Sequence, residues 1–580
     1  MATRDTMYSD DVACSRKQRL SVLDDGVTQL PPESDGSGNV EYKTKLNALS
    51  GNRTTHLATQ LQWRLAEGNG HAVYVVGVHD NGEVVGISDE ELQLTIQTIE
   101  SMAQQLGNVH ISSVERRTLV GHGSRAVAEV HITQRNTRRR TELRVTVLGD
   151  HGAGKSTVLG CLTYGEADDG RGKARLNLLR HRHEVESGRT SSITLGAVGF
   201  DAEGQVLNYA NNRSAEQIYQ RSLHVVTFVD TCGYAKHLKT TARAIAGHSP
   251  HAICLVLAAD AIAVTATTRE YLRIAAVLCV PLMIVVTKMD AAIKPQFAAM
   301  MHELLGALSA AVPERSKCIV TSATDSDSLA KDMMSIAVVP IFTTSAVRTV
   351  GFSELTAVLA KTRSLPSSAL TVTGDAEVPN ALFEFHIEHV FSVDTVGKVV
   401  TGWVKAGSVD IGPSSGRRRL VIGPNASGGF DDIDVTSIHT LRIPSESAQA
   451  DSSAALAIHS RKPIAVRKGM VIVDANCLER RDRRVSAEFV ARVAVLDSDL
   501  WAMHSVIVHI RSTYRLARIL NMPSDRSAEG EGDQASQRSE YATVRLRFDD
   551  GVCDYMYPGM PVVARDGQRL TFVGHITQVV

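Results

Sequence analysis

The run VTVLGDHGAGKST at 145–157 joins an apolar strand to a GxxxxGK[ST] loop and the opening of a helix. In such a loop Gly149, Gly152 and Gly154 let backbone N–H groups converge on phosphate oxygens. Asp150, His151, Ala153 and Thr157 complete the cradle, and the helix N-terminus adds a favourable dipole. Lys155 is placed to reach β- and γ-phosphates, and the Ser156 hydroxyl to ligate Mg²⁺. A second run, VVTFVDTCG at 225–233, ends a strand at Asp230, which can hold Mg²⁺ through a water. Gly233 then falls where its amide senses the γ-phosphate. A third, IVVTKMDAA at 284–292, runs a strand into Thr287, Lys288 and Asp290. The Asp290 carboxylate can accept from guanine N1–H and the exocyclic amine, whereas adenine offers an acceptor at N1 and is repelled. The Lys288 stem can lie against the base, and Ser345–Ala346 can supply a backbone amide to the guanine oxygen. Between the first two runs, Thr190 in RHRHEVESGRTSSI is the candidate hydroxyl that closes over Mg²⁺ when a γ-phosphate is present. The chemistry implied is GTP and GDP binding with Mg²⁺, with Lys155 and Gly233 as the candidate catalytic groups beside the residue that follows, Tyr234. His181, His183 and His224 are expected at the surface or in packing, not as metal ligands.

These residues need a scaffold, and 141–366 provides its pattern. Strand-like runs (LRVTVLG, HVVTFVD, HAICLVLA, LMIVVT, VPIFTT) alternate with segments of helical period, which argues for a parallel sheet with helices on both faces. Before it, 36–140 reads as a small α+β domain, with AVYVVGV followed by a helix-period stretch from 89 to 105. Residues 1–35 are polar and read as a disordered tail. RNTRRR at 135–140 reads as a charged, solvated hinge. After 366 the pattern becomes short strands between Gly, Asp and Asn turns, predicting two antiparallel β-barrels at 379–477 and 485–580. The polar stretch 524–540 reads as a disordered insertion in the second. The fold class is therefore multidomain α/β plus all-β.

A chain of 580 residues exceeds the size at which one core stops growing, so several domains are required. The 62 Lys and Arg balance 63 Asp and Glu, which excludes a global cationic field for gathering nucleic acid. The eight cysteines show no CxxC pair or metal spacing, in keeping with a reducing compartment. No apolar stretch reaches the ~20 residues of a spanning helix, so the cytoplasm is expected, with no membrane and no DNA partner.

The motifs, with two barrels after them, resemble the elongation-factor-Tu-like translational GTPases, and within them the eukaryotic GTP-binding protein one and two subfamily. The resemblance spans about 35–580. It is carried by DGSGNVEYK (35–43), QWRLAEGNGHAVYVVGVHDNG (62–82), GRGKARLNLLRHRHEVESGRTSSI (170–193), KHLKTT (236–241), TTREYL (267–272), FSVDTVGKVVTGWVKAG (391–407) and VRKGMVIV (466–473). It implies a GTP-controlled body that engages aminoacyl-tRNA and the ribosome, with links to mRNA surveillance or decay. It also exposes departures. Relatives usually follow DxxG with a histidine that orients the attacking water, but Tyr234 stands there and a histidine appears at 237. An acidic residue common in the family's phosphate loop is Gly152 here, and an Arg-Gln pair in the last barrel is Tyr514 and Arg515. The expectation is GTP binding with slow or absent intrinsic hydrolysis. Its rival is a degenerate GTP-binding scaffold that recruits RNA-decay or ribosome-rescue partners, and a third reading is a GTPase of sulfate or selenocysteine metabolism.

Overall fold

The computed structural model describes residues 29–31, 38–46, 51–68, 70–106, 109–119, 125–134, 140–179, 181–187, 190–234, 238–248, 250–362, 382–394, 396–411, 418–480, 484–497, 500, 503–521, 541–567 and 569–580. The hinge at 135–139, the linker after 362, the 524–540 insertion and His237 lie outside them. The chain divides into two compact units, Met1–Arg139 and Arg140–Val580.

In the first unit the parallel pair Val40–Lys43 and His71–Val76 is extended antiparallel by Ala126–Gln134 and then Val109–Thr118. Apolar positions three and four apart on helix Asp89–Leu106 (Leu92, Ile99, Met102, Ala103) make one buried stripe. With Leu61 and Leu65 of helix Gly51–Glu67 they cover Tyr74, Val130 and Ile132 on one sheet face. Alternate residues Val73, Val75 and Val127 point to the other face, where they meet Tyr42 and Leu30. Leu30 corrects the tail expectation. Gln29 bridges Glu83, the Leu30 N–H donates to Gly82 O at 2.7 Å, and the Leu30 side chain is buried. A single leucine in a polar run carries no periodicity, so its anchorage to a turn 50 residues away could not be read locally.

In the second unit an eight-stranded sheet runs Ser316–Ile319, Val338–Thr343, Leu282–Thr287, Ala252–Ala258, Thr141–Leu148, His224–Asp230, Thr194–Phe200, Val206–Leu207. The first six are parallel, and their central strands are buried on both faces. The last two are antiparallel, which departs from the expected all-parallel sheet. The Asp201 carboxylate accepts from the N–H groups of Glu203 and Gln205, closing a tight turn, and a turn of that length permits only a hairpin. Helices Lys155–Tyr164, Ser326–Met334 and Phe352–Lys361 pack on one face, and Leu238–Gly247, Ala266–Val277 and Lys294–Ala311 on the other.

Two antiparallel rings of six strands follow. The first closes where Leu420–Gly423 pairs with Asp431–Thr440, and the second where Glu488–Val495 pairs with Arg569–Val579. The second ring keeps its own core around Phe489, Val493, Ala564 and Phe572, and on its outer face Ala494, Val563, Leu570 and Val573 join the cluster under helices Leu238–Gly247 and Ala266–Val277. The first ring is tied differently. Arg144, on the central strand Thr141–Leu148, donates to Glu388 Oε1 at 2.7 Å and lies 4.0 Å from the Trp403 ring, and all three side chains are buried. Burial alone raises the Glu388 pKa, but Arg144 and His248 outweigh it and hold the carboxyl well below the usual carboxylate range.

Removing one partner of such a pair leaves an uncompensated buried charge, a loss of about 3–5 kcal/mol. Glu388→Ala is expected to lower stability by that order in urea unfolding, and Glu388→Gln by less. Since the folded-state pKa lies below the unfolded one, this stabilisation is complete above the ordinary glutamate value of about 4.3 and disappears as pH falls from there through the folded value. A wild-type stability that is flat from pH 6 down to 3, relative to Glu388→Gln, contradicts this assignment.

Candidate functional site

The parallel strands end on one side, and three of their loops meet there around a cleft of about 600 Å³. Strand Thr141–Leu148 leads into the loop, in which Gly149, Gly152 and Gly154 all take positive φ (141°, 78° and 89°). A Cβ on Gly149 would lie 2.2 Å from Val256 O, so only glycine lets the chain leave the strand there. Helix Lys155–Tyr164 begins at once, with no side-chain cap on its first N–H groups. That leaves free donors at a positive dipole end facing the cleft.

Lys155 is buried, and its Nζ donates to Gly149 O and Asp150 O, both at 2.9 Å. Burial lowers its pKa, while Asp230, Cys232 and Asp150 raise it. Asp230, at the end of strand His224–Asp230, is fully buried, and burial pushes its pKa up against the opposing pull of Lys155 and Ser156. Ser156 Oγ donates to Asp230 Oδ2 at 2.6 Å and lies 2.9 Å from Thr190 Oγ1. Asp230 Oδ1 is buried with no hydrogen-bond partner among the described residues. Two hydroxyls and a carboxylate with an unsatisfied oxygen form an oxygen-only donor set suited to a hard divalent cation. Gly233 lines the cleft and packs directly against Lys155 and the loop backbone, leaving no room for a Cβ. Tyr234 is partly exposed at the edge, its ring 6.0 Å from that of His151, which does line the cleft.

At the other end of the cleft, Thr287 Oγ1 donates to Ala153 O at 2.7 Å and so ties the strand Leu282–Thr287 to the phosphate loop. Lys288 follows at φ 58°, a left-handed conformation unusual for a lysine, and its Nζ lies 3.1 Å from Asp260. Such strain is retained where it directs neighbouring groups. Asp290 Oδ1 accepts from Ser345 Oγ at 2.5 Å, which fixes the carboxylate, and Ser345 is itself buried behind it. Ala346 lines the cleft, and its carbonyl accepts from Asp168 N–H. Thus Lys155, Ser156, Thr190 and Gly233 gather at one end of the cleft and Thr287, Lys288, Asp290 and Ala346 at the other. Asp150, Asp230 and Tyr234 stand behind or beside its lining.

Sequence reasoning missed two residues that position this lining. Glu184, fully buried on the short helix Arg182–Ser187, accepts at Oε1 from the N–H and hydroxyl of both Ser191 and Ser192, at 2.7–3.1 Å. It thereby pins the backbone just after Thr190. Asp168 accepts from the N–H groups of Gly170, Gly172 and Ala174, folding the DDGRGK turn so that Arg171 lines the cleft. The signal for the second was present, since Asp followed by two spaced glycines is turn chemistry. For Glu184 nothing local separates it from a surface glutamate. His181 and His183 are exposed, and His224 is buried against Phe200, its Nδ1 2.8 Å from Thr141 Oγ1.

Comparison with known proteins agrees with this architecture. The Elongation factor Tu GTP binding domain family matches residues 140–365. The chain is 35% identical over 558 residues to GTP-binding protein 2 of Mus musculus and of Homo sapiens, covering 95% of this chain and 88% of theirs. It is 31% identical over 564 residues to GTP-binding protein 1 of Xenopus laevis, covering 94% of this chain and 80% of that one. Among solved structures, the S. cerevisiae Ski7 GTPase-like domain superposes over 76% of this chain and 98% of its own, with TM-scores of 0.51 bound to GTP and 0.52 bound to GDP and inorganic phosphate. At 13% and 14% identity those two speak for the fold alone. With more than nine-tenths of its length aligned at 35% identity, a phosphate-loop sheet and two six-stranded barrels, this chain belongs to the GTP-binding protein 1 and 2 family of elongation-factor-Tu-like GTPases.

Proposed function

We propose that this protein is a cytoplasmic, GTP-switched factor of the translation type, whose cleft holds GTP with Mg²⁺ and whose barrels report the state of that cleft to an RNA-bearing partner. The observation that carries the reading is the meeting of Ser156, Thr190 and Asp230 within hydrogen-bond distance at one end of a cleft that has Asp290 at the other. Backbone amides from Gly149 to Thr157 surround the phosphates, and Lys155 trades its two carbonyl partners for β- and γ-phosphate oxygens. Mg²⁺, when bound, would supply positive charge against the phosphate oxygens. Ser156 and Thr190 would hold it through their hydroxyls, and Asp230 would hold it through water. Asp290, oriented by Ser345, reads the guanine edge. Loss of the γ-phosphate removes the reason for Thr190 to stay, and the Glu184 anchor then restrains the segment just after it.

The signal leaves the cleft through helix Leu238–Gly247, which follows the Gly233 turn. This helix packs on strands Ser505–Ile510 and Pro561–Asp566 of the second barrel. Near its start, Lys239 Nζ donates to Tyr514 Oη at 2.6 Å and sits 4.0 Å over the Tyr514 ring. A shift of the helix in response to nucleotide therefore moves a barrel contact directly, and aminoacyl-tRNA, the ribosome or RNA-decay machinery are the partners proposed to sense it. Hydrolysis is proposed to be slow, since the phenol of Tyr234 stands in place of the imidazole that orients the attacking water in relatives. A GTP-binding scaffold without turnover is the second reading, favoured by the same Tyr234 and by Gly152.

Titration of fluorescent guanine and adenine nucleotides in magnesium buffer tests the core of the proposal. Asp290→Asn is expected to weaken guanine nucleotide binding by roughly 10- to 100-fold, the loss of one charge-assisted hydrogen bond of about 1.5–3 kcal/mol. Equal affinity for adenine nucleotides in the parent chain sinks it. Glu184→Ala is expected to speed amide exchange over 190–193 in the GTP state and to narrow the preference for GTP over GDP. An unchanged exchange pattern removes Glu184 from the switch. In single-turnover assays with and without ribosomes, Tyr234→His is expected to hydrolyse GTP at least about tenfold faster than the parent. A variant no faster than a parent that already turns over rapidly refutes the slow-hydrolysis assignment.

A further inference from the structure

On the sheet face of the first unit opposite its helices, Glu115, Glu129 and His131 bring their ligand atoms within 4.8 Å of one another. We propose that these three residues form a divalent transition-metal site, with Zn²⁺ as its natural occupant, separate from the cation held with nucleotide.

The register makes the cluster. Strands Val109–Thr118 and Ala126–Gln134 pair with a bulge at Ser112, between the Ile111↔Ile132 and Ser113↔His131 pairs. Without that extra residue, Val114 would stand opposite Glu129. With it, Glu115 does. Two carboxylates directly opposed on neighbouring strands repel, and a bulge that creates the pair calls for a countercharge. Glu129 is only 5% exposed, and its Oε1 is buried with no hydrogen-bond partner among the described residues. A buried carboxylate oxygen left unpaired is destabilising by several kcal/mol unless a cation fills the gap. His131 Nε2 lies 3.6 Å from Glu129 Oε2. Adjacent ligands of a tetrahedral ion with ~2.1 Å bonds are roughly 3.4 Å apart, so this edge already has the needed length. The exposed Glu115 can close the remaining side by a rotamer change, leaving the fourth position to water. One imidazole with two carboxylates suits a borderline cation such as Zn²⁺ better than Ca²⁺, which takes oxygen donors alone. The only cysteine in this unit's sequence is Cys14, which lies outside the described residues, so the expected ligand set is nitrogen and oxygen.

The test uses the full chain, stripped with chelator and kept in excess Mg²⁺ and GDP so that the nucleotide cleft is supplied. Zn²⁺ is titrated calorimetrically into the parent and into Glu115→Gln, Glu129→Gln and His131→Ala, and Co²⁺ is titrated with visible absorption as readout. One equivalent of Zn²⁺ is expected in the parent, weakened at least about tenfold in each variant, since even outer partners of a metal are worth 10- to 100-fold. Bound Co²⁺ should show d–d bands without thiolate charge transfer, and the bands should diminish in the variants. Circular dichroism confirms that each variant is folded, and Glu115→Gln, being a surface change, decides the matter should the buried ones unfold. Zn²⁺ and Co²⁺ titrations that superimpose for the parent and Glu115→Gln, including the case where neither binds, overturn the proposal.

Discussion

A desolvated lysine and a desolvated carboxylate at the floor of one cleft set the terms for the rest of this molecule. Lys155 and Asp230 are both buried, and burial pushes each toward its neutral form. Each opposes that push on the other and Ser156 donates to Asp230, while Asp230 Oδ1 has no hydrogen-bond partner among the described residues. Such an arrangement is poor as mere packing, because an apolar pair would fill the space at lower free energy. It makes sense as half of a larger electrostatic assembly completed by an anion and a cation. The sheet exists, in this view, to hold two strand ends at fixed separation while the loops between them adjust.

The barrels depend on that floor through contacts of two kinds. Arg144, on the central strand Thr141–Leu148, meets Glu388 and Trp403 of the first barrel in a buried, hydrogen-bonded pair. This junction is rigid, because separating the partners strands two charges. The second barrel instead meets helix Leu238–Gly247 where the small side chains Ala242 and Ala246 and the larger Ile245 join the shared cluster, and at Gly247, whose added Cβ would lie 2.8 Å from Arg511 O. Small residues let packed elements slide by short distances without leaving large voids. Of the two junctions, the one nearer the Gly233 turn is thus the better able to respond.

Much of this was legible in the sequence, and the reason is locality. The phosphate loop, the strand ending at Asp230 and the TKMD run each express a strand-to-turn junction within a dozen residues, and period-2 and period-3.6 patterns marked the elements that carry them. What escaped depends on partners far apart in sequence. Arg144 and Glu388 are separated by 244 positions, and neither stretch advertises the other. Glu184 looks like any loop glutamate until Ser191 and Ser192 fold back onto it. The hairpin Thr194–Leu207 was missed because Gly196 and Gly199 interrupt the alternation of its first strand and its second strand is only Val206–Leu207. Leu30 was assigned to a tail because one apolar residue has no period at all.

The divergence at the phosphate loop separates holding a nucleotide from consuming it. Gly152 has open space where a side chain would project, with no atom of the described residues beyond its chain neighbours within 4 Å of that position. The loop's remaining acid, Asp150, accepts from Thr265 and Thr268 at the start of helix Ala266–Val277, and is thereby committed to anchoring the loop. Lys155, Ser156 and Asp290 are untouched by either feature. Binding rests on amides, an ammonium and a base-reading carboxylate that all exist before the ligand arrives, whereas turnover needs a group that orients water at the moment of attack. Among the described residues, the imidazole that lines the cleft is that of His151, on the loop itself, with the Tyr234 ring 6.0 Å away.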